Sequence, residues 1–232
     1  LIVSIVSDPV LRERKLIAEP WDVQGYALGA FPYPWREWND QYRDVVRKFW
    51  LHGYTLKSGD MATRVSGSHD IFYYRGPNSS INFLTAHDGF TLADLTTYND
   101  KHNEANAEGN SDGTNNNYSW NLGVEGLTID NEINDSRVRL QKSMLASLIM
   151  SAGVPMLLMG DEIGRTQAGS NNAYSLPLNE SGNDLRGDDS FKGGWALNWE
   201  IGERERDLLE TTKTLISLRK EYLAPSLRAN LT

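Results

Sequence analysis

The sequence predicts an α/β protein built on a parallel sheet, and two observations lead to this fold class. Four short apolar segments typical of buried strands alternate with segments whose apolar residues recur at helical spacing. Long polar segments, at 99–135 and 164–199, follow the ends of predicted strands. Strands that alternate with helices pair in parallel, and the helices cover the faces of the sheet.

The first two predicted strands lie within the first 40 residues. Residues 1–11 have the apolar spacing of a helix, and the segment KLIAEP, stopped by Pro20, predicts a short buried strand. A loop rich in Gly, Pro and aromatic residues follows at 25–34. The segment WREWND then predicts a second strand, and QYRDVVRKFW predicts a helix.

The remaining elements repeat this pairing of strand and helix. The segment SINFLTAHDG predicts a third strand, which ends at His87 and Asp88. The segment SRVRLQKSMLASLIMS predicts a long amphipathic helix, which leads through Gly153 into a fourth strand, VPMLLMGDE. A last helix is predicted at about 203–222. Since the chain has no internal repeat and no Gly/Ser linker, we expect one domain or part of one.

Composition and charge exclude several classes of function. The 232 residues include no cysteine, and 23 basic against 31 acidic side chains give a net charge of −8. This balance argues against nucleic acid and anionic membranes as partners, because both are bound by clustered Lys and Arg. No apolar run approaches the roughly 18–20 residues that cross a bilayer, and the first residues lack the features of a signal peptide. We therefore expect a cytoplasmic protein.

Acidic residues stand at the ends of three predicted strands. They are Glu19, Asp88 and the pair Asp161 and Glu162. In parallel sheets and in (β/α)8 barrels, ligands bind at the carboxyl ends of the strands, so these residues predict one shared site. For Asp161 and Glu162 two interpretations stay open, since they could line the pocket or bind loop backbone.

Glu19 and Asp88 are the candidate catalytic residues. Glu19 precedes Pro20 and Trp21, where partial desolvation and an indole neighbour suit a general acid. The alternative is a solvated glutamate, the commoner state of a lone carboxylate. Asp88 beside His87 suits a carboxylate that stabilises positive charge next to an imidazole that binds a hydroxyl group. Its alternative is a helix cap for the segment GFTLADL.

Two carboxylates at one site suit glycoside hydrolysis, in which they flank an oxocarbenium-like transition state. Aromatic side chains in loops can stack on sugar faces, and Asn and Asp side chains can bind sugar hydroxyl groups. The loop aromatics are Trp21, Tyr26, Tyr33, Trp35, Tyr98, Tyr118, Trp120 and Tyr174. The alternative is that most of these rings fill the core, and for Trp50 and Trp199 we prefer a core position.

Six segments carry a family resemblance. In chain order they are KLIAEPWD, EWNDQYRDVVRKFW, INFLTAHDGFTL, KHNEAN, DGTNNNYSWN and GDEIGRTQAGSNNAYS. They resemble the isoamylase and glycogen-debranching branch of the alpha-amylase family, glycoside hydrolase family 13. The resemblance covers nearly the whole chain. It implies a (β/α)8 barrel, a retaining mechanism and cleavage of α-1,6 branch linkages in an α-glucan such as glycogen or limit dextrin.

The resemblance also implies roles for individual residues. Glu19 would be the general acid/base at the end of the fifth barrel strand, and Asp88 the transition-state stabiliser after the seventh. His87 would bind a substrate hydroxyl group in subsite −1. The other predicted substrate-binding residues are Trp21, Asp22, Tyr118 and Trp120. No cofactor and no metal are predicted, because the four histidines lack ligand spacing.

The chain departs from the family pattern at the catalytic nucleophile. The motif G-F-R-x-D-x-A on the fourth barrel strand and the His-bearing motif on the third are absent from the sequence. The single Arg-x-Asp, at 186–188, follows no apolar strand. We therefore expect residues 1–232 to form a partial catalytic barrel, from about helix 4 to helix 8. The N-terminal half of the barrel and the C-terminal β-sandwich would be absent, and the fragment would be inactive alone.

Other functions remain open from the sequence. Within the family, the alternatives are a pullulanase and a trehalose-releasing relative. A non-catalytic α-glucan-binding fragment would use the same aromatic and Asn side chains. A metal-dependent hydrolase would have to use His87, Asp88, Asp161 and Glu162.

Overall fold

Four parallel strands form the sheet of this chain. The computed structural model describes residues 1–52, 57, 59–173 and 197–229. Within these residues the strands are β1 (Ile17–Ala18), β2 (Arg36–Asn39), β3 (Ser80–Phe83) and β4 (Val154–Met156). Their order in the sheet is β1-β2-β3-β4, and each strand pairs in parallel with the next. The predicted α/β class and all four predicted strands are confirmed.

Eight α-helices lie among the described residues. They are α1 (Ile2–Ser7), α2 (Asp40–His52), α3 (Asp60–Val65), α4 (His69–Phe72), α5 (Leu92–Leu95), α6 (Asn131–Met150), α7 (Glu203–Leu218) and α8 (Ala224–Ala229). The four predicted helices are confirmed as α1, α2, α6 and α7. The short helices α3 and α4 were not predicted, because fewer than two turns show too little periodicity. The short helix α5 lies within GFTLADL, the segment that Asp88 was a candidate to cap. None of the described helices is long and apolar enough to cross a membrane.

The core lies where α2, α6 and α7 pack together beside the strands. Its fully buried members include Tyr42, Val46, Phe90, Leu92, Leu95, Met144, Leu145 and Leu208. Trp50 packs against this cluster, as expected, and its Nε1 donates to Ser147 Oγ at 2.9 Å. The core position expected for Trp199 is wrong, since 76% of that residue is exposed. Tyr98, grouped with the loop aromatics, belongs to the core.

A buried ion pair fixes β2 against its surroundings. Glu37 on β2 is fully buried and pairs with Arg75, which lies shortly before β3. Glu37 Oε2 also accepts a hydrogen bond from Gly29 N at 2.6 Å, and Arg75 Nη1 donates to Trp35 O at 3.2 Å. This pair therefore joins β2 to the loop before it and to the segment that enters β3.

We expect Glu37→Ala to lower the free energy of unfolding by about 3–5 kcal/mol, because it leaves Arg75 as an uncompensated buried charge. Urea denaturation followed by circular dichroism measures this change. The matched control is Glu210→Ala, which removes the exposed ion pair with Lys213 and should have little effect. Equal midpoints for the two variants would contradict the structural role of the buried pair.

Candidate active site at the carboxyl ends of the strands

The sheet brings the two candidate catalytic residues to one edge. Glu19 follows β1 directly, and Asp88 comes five residues after the end of β3. Only β2 separates these strands, so their axes are two strand spacings apart, about 10 Å. Both side chains therefore start from the carboxyl edge of the sheet, as the sequence predicts.

Glu19 lies in the wall of a cavity of about 370 Å³ that Trp21, Asp22 and Tyr26 also line. Trp21 and Tyr26 face each other in an antiparallel bridge. Asp22 closes the turn between them, because its Oδ1 accepts from Gln24 N at 2.7 Å and from Gly25 N at 2.9 Å. The structure thus groups three of the predicted site residues.

The surroundings of Glu19 differ from the expectation in one respect. The residue is exposed, so the described part of the chain does not supply the partial desolvation that the sequence interpretation invoked. Tyr26, across the same cavity, donates its hydroxyl to Asp40 Oδ1 at 2.7 Å. Burial and this bond raise the pKa of Tyr26 to about 12.

His87 and Asp88 form a second group, on the turn after β3. His87 Nε2 lies 3.5 Å from Asp88 Oδ2, and the imidazole packs against Trp38 with ring centroids 5.8 Å apart. Both side chains are mostly exposed. The alternative role of Asp88 as a helix cap is wrong, because Thr91 caps α5 by accepting from Asp94 N at 3.1 Å.

Asp161 supports this turn from beneath. The carboxylate is almost fully buried. It accepts from the Thr85 hydroxyl and, at 3.0 Å, from Leu92 N, so it holds the chain on both sides of His87 and Asp88. Burial raises the pKa of Asp161 to about 6.

Glu162 binds the backbone of its own loop after β4, since its Oε2 accepts from Gly160 N at 2.8 Å. Of the two interpretations left open for Asp161 and Glu162, binding to loop backbone is confirmed for both.

Asparagine side chains join the first long polar segment to the described part of the second, 164–173. Asn103, fully buried, accepts at Oδ1 from Asn171 N at 3.0 Å and donates from Nδ2 to Asn171 Oδ1 at 2.8 Å. Asn171 in turn donates to Asn117 Oδ1 at 3.0 Å and to Thr114 O at 2.7 Å. Its carbonyl accepts from Gly89 N at 2.8 Å. Asn171 therefore links the turn of Asp88 to the loop before Tyr118.

Sequence reasoning missed Asn103, Asn171 and the turn-holding role of Asp161. The signal was the high Asn content of the two polar segments, which the sequence interpretation assigned to binding sugar hydroxyl groups. The amide side chain carries both donors and acceptors, so Asn can satisfy buried loop backbone that no helix or strand pairs.

Tyr118 and Trp120 form a third group, apart from Glu19. They line a cavity of about 750 Å³, together with Trp50 and Asn99. The predicted site residues thus fall into three groups on the structure: Glu19 with Trp21 and Asp22, His87 with Asp88, and Tyr118 with Trp120.

The described residues contain no cluster of three or more His, Asp or Glu side chains arranged to hold a metal ion. His87 and Asp88 face outward on their turn, whereas Asp161 is bound to Thr85 and Leu92. Tyr174 and the Arg-x-Asp segment at 186–188 lie outside the described residues.

The chain is similar to curated proteins over nearly its whole length. It is 54% identical over 230 residues to a glycogen debranching enzyme of Pectobacterium carotovorum, covering 95% of this chain and 33% of that protein. It is 47% identical over 222 residues to the glycogen operon protein GlgX homolog of Mycobacterium tuberculosis, covering 94% of this chain and 29% of the relative. The family resemblance is confirmed, and the chain spans about a third of these relatives.

Solved structures with a similar fold include pullulanases. One, from Anoxybacillus sp. LM18-11 in complex with maltotriose, superposes with a TM-score of 0.59 at 21% identity, over 93% of this chain and 26% of that one. Another, from Bacillus acidopullulyticus, gives 0.56 at 20% identity, over 92% and 23%. No protein-family model matches the chain. The likeness shows that this α/β fold occurs as part of larger pullulanase chains.

We expect the stability of the chain to depend on pH through Asp161. The pKa of its carboxyl is higher in the folded chain, about 6, than its ordinary value of 3.8. The native state therefore retains a proton that the unfolded chain releases, and the free energy of unfolding falls as pH rises from about 4 to about 6.

Asp161→Asn should flatten this pH dependence, which thermal unfolding at several pH values measures. We expect a residual slope of the same sign from Asp94, because burial also raises the pKa of that carboxyl group. An unchanged slope in the variant would exclude Asp161 as its source.

Proposed function

We propose that this chain is part of a glycoside hydrolase that cleaves α-1,6-glucosidic branch linkages in glycogen or limit dextrin. The observation that carries the proposal is the 47–54% identity, over more than nine-tenths of the chain, to proteins named for glycogen debranching or the glycogen operon. Because the chain spans only about a third of these relatives, the activity belongs to a longer protein that contains it.

In this proposal the four strands are the fifth to eighth strands of a (β/α)8 barrel, and residues 1–232 run from about helix 4 to helix 8. Two observations support this. The strands follow one another in chain order across the sheet, as barrel strands do. Among the described residues, β1 and β4 are also the edges of the sheet, and barrel closure would pair both.

Glu19 and Asp88 divide the chemistry between them. Glu19 would donate a proton to the glycosidic oxygen of the branch point, while Asp88 stabilises the positive charge that develops on the sugar ring. His87 would bind a hydroxyl group of the same sugar.

The nucleophile of the retaining mechanism would come from residues outside this sequence, since no strand here carries the required motif. Water would then hydrolyse the glycosyl-enzyme, with Glu19 acting as the base.

Pullulanase specificity is the second candidate, and the fold likeness at 20–21% identity favours neither substrate. The much higher identity to debranching enzymes favours glycogen or limit dextrin. The α-glucan partner and the cytoplasmic location belong to the same proposal.

In the longer protein, Glu19→Gln should lower kcat on branched α-glucan by at least about 100-fold, because the amide cannot donate a proton at the required acidity. Glycan affinity should remain, since the side chain keeps its shape. Reducing-end release from glycogen measures the rate. Glu13→Gln, which changes an exposed glutamate before β1, is the matched control and should retain full turnover. Unchanged turnover in Glu19→Gln would refute the role of Glu19.

The 232-residue chain alone should release no reducing ends from glycogen, because a retaining mechanism requires a nucleophile. Incubation of the purified chain with glycogen at high protein concentration tests this. Turnover that Glu19→Gln abolishes would overturn the assignment of the nucleophile to other parts of the protein.

A further inference from the structure

We infer that the cavity lined by Trp50, Tyr118 and Trp120 is a second α-glucan-binding site, which holds a length of the polymer outside the cavity of Glu19. The ligand class rests on the proposed function, whereas the site itself rests on the geometry of the cavity. No wall residue of this cavity belongs to the group of Glu19, Trp21 and Asp22.

The size and lining of the cavity match a carbohydrate. Its volume of about 750 Å³ lies within the range of small-molecule sites, roughly 300–1,000 Å³. Three aromatic rings and the amides of Asn99, Asn115 and Asn116 contribute to its walls. Aromatic faces bury the C–H faces of sugar rings, and amide groups hydrogen-bond hydroxyl groups.

The charge of the cavity points to a neutral ligand. None of the described residues that line it carries a carboxylate, an ammonium or a guanidinium group.

The aromatic walls are held in place before any ligand binds. Trp50 is anchored to Ser147, as described above, and Trp120 N donates to Leu95 O at 2.9 Å. The Lys48 ammonium lies 4.1 Å from the centroid of the Tyr118 ring. Such preorganisation reduces the entropy that a ligand loses on binding.

The backbone at Tyr118 adds a further indication of function. Its φ is +50°, in the left-handed region that is uncommon for an aromatic residue. The preceding residue, Asn117, is clamped on both sides, by Arg47 Nη1 on its carbonyl at 3.0 Å and by Asn171 on its side chain. Strain of this kind persists where the surroundings enforce it, often at ligand sites. Here it places Tyr118 in the cavity wall.

Trp120→Ala tests the inference, with Trp199→Ala as the matched control. Trp199 is more exposed than Trp120, 76% against 44%, and is not a wall residue of the cavity. Calorimetric titration of the longer protein with maltoheptaose should show Kd at least about tenfold higher in Trp120→Ala, the usual scale for an aromatic anchor. Trp199→Ala should leave Kd unchanged.

Kinetics separate this site from the catalytic one. Trp120→Ala should raise KM for glycogen about tenfold and Trp120→Phe should restore it, whereas the control Trp199→Ala should leave both kcat and KM unchanged. Asn116→Ala, which removes an exposed amide from the wall, should weaken binding without affecting the fold.

If both Trp120→Ala and Asn116→Ala bind and hydrolyse as the parent does, the inference is wrong. If the parent protein hydrolyses no α-1,6 linkage, the proposed function fails, while the maltoheptaose titration still decides the binding site.

Discussion

The geometry of the candidate site depends on one buried carboxylate. Asp161 follows β4, yet it binds Thr85 and Leu92, which flank His87 and Asp88 after β3. Its two bonds define the turn that presents Asp88 at the carboxyl edge of the sheet. Burial of an ionisable group destabilises the charged form, and the raised pKa of Asp161 shows this cost. The fold thus gives up stability above pH 6 to hold the turn that carries Asp88.

The asparagine network extends the same principle to the polar loops. These segments have few apolar side chains to bury, so tertiary order has to come from hydrogen bonds. Asn103 and Asn171 supply them across nearly 70 residues of sequence, and Asn171 contacts both the Gly89 backbone and Asn117. A ligand that binds beside Tyr118 would therefore contact a segment that is already connected to the turn of Asp88.

The strands and long helices could be predicted from the sequence because apolar periodicity directly reflects their burial. The position of Trp199 could not, because a tryptophan is apolar enough for the core but its burial depends on distant packing. Asp88 and Thr91 both precede α5, and both are residue types that can cap a helix. The cap is Thr91, which lies three residues before Asp94. The role of Asp161 depends on partners 69 and 76 residues away, and no local pattern reports such contacts.

The two halves of the candidate site are unequally secured within this chain. β1 contributes only two residue pairs to the sheet, whereas β2 with β3 and β3 with β4 form three each. Beyond β1, Glu19 is followed by a turn that closes on itself through Asp22, while Asp88 is held from β4 by Asp161 and from the second polar loop by Asn171. Because β1 is an edge here, a neighbouring strand on its open side would add the missing restraint and cover Glu19. Such a strand would supply the desolvation that suits a general acid. In the proposed barrel, the contact that closes the sheet would therefore also activate Glu19.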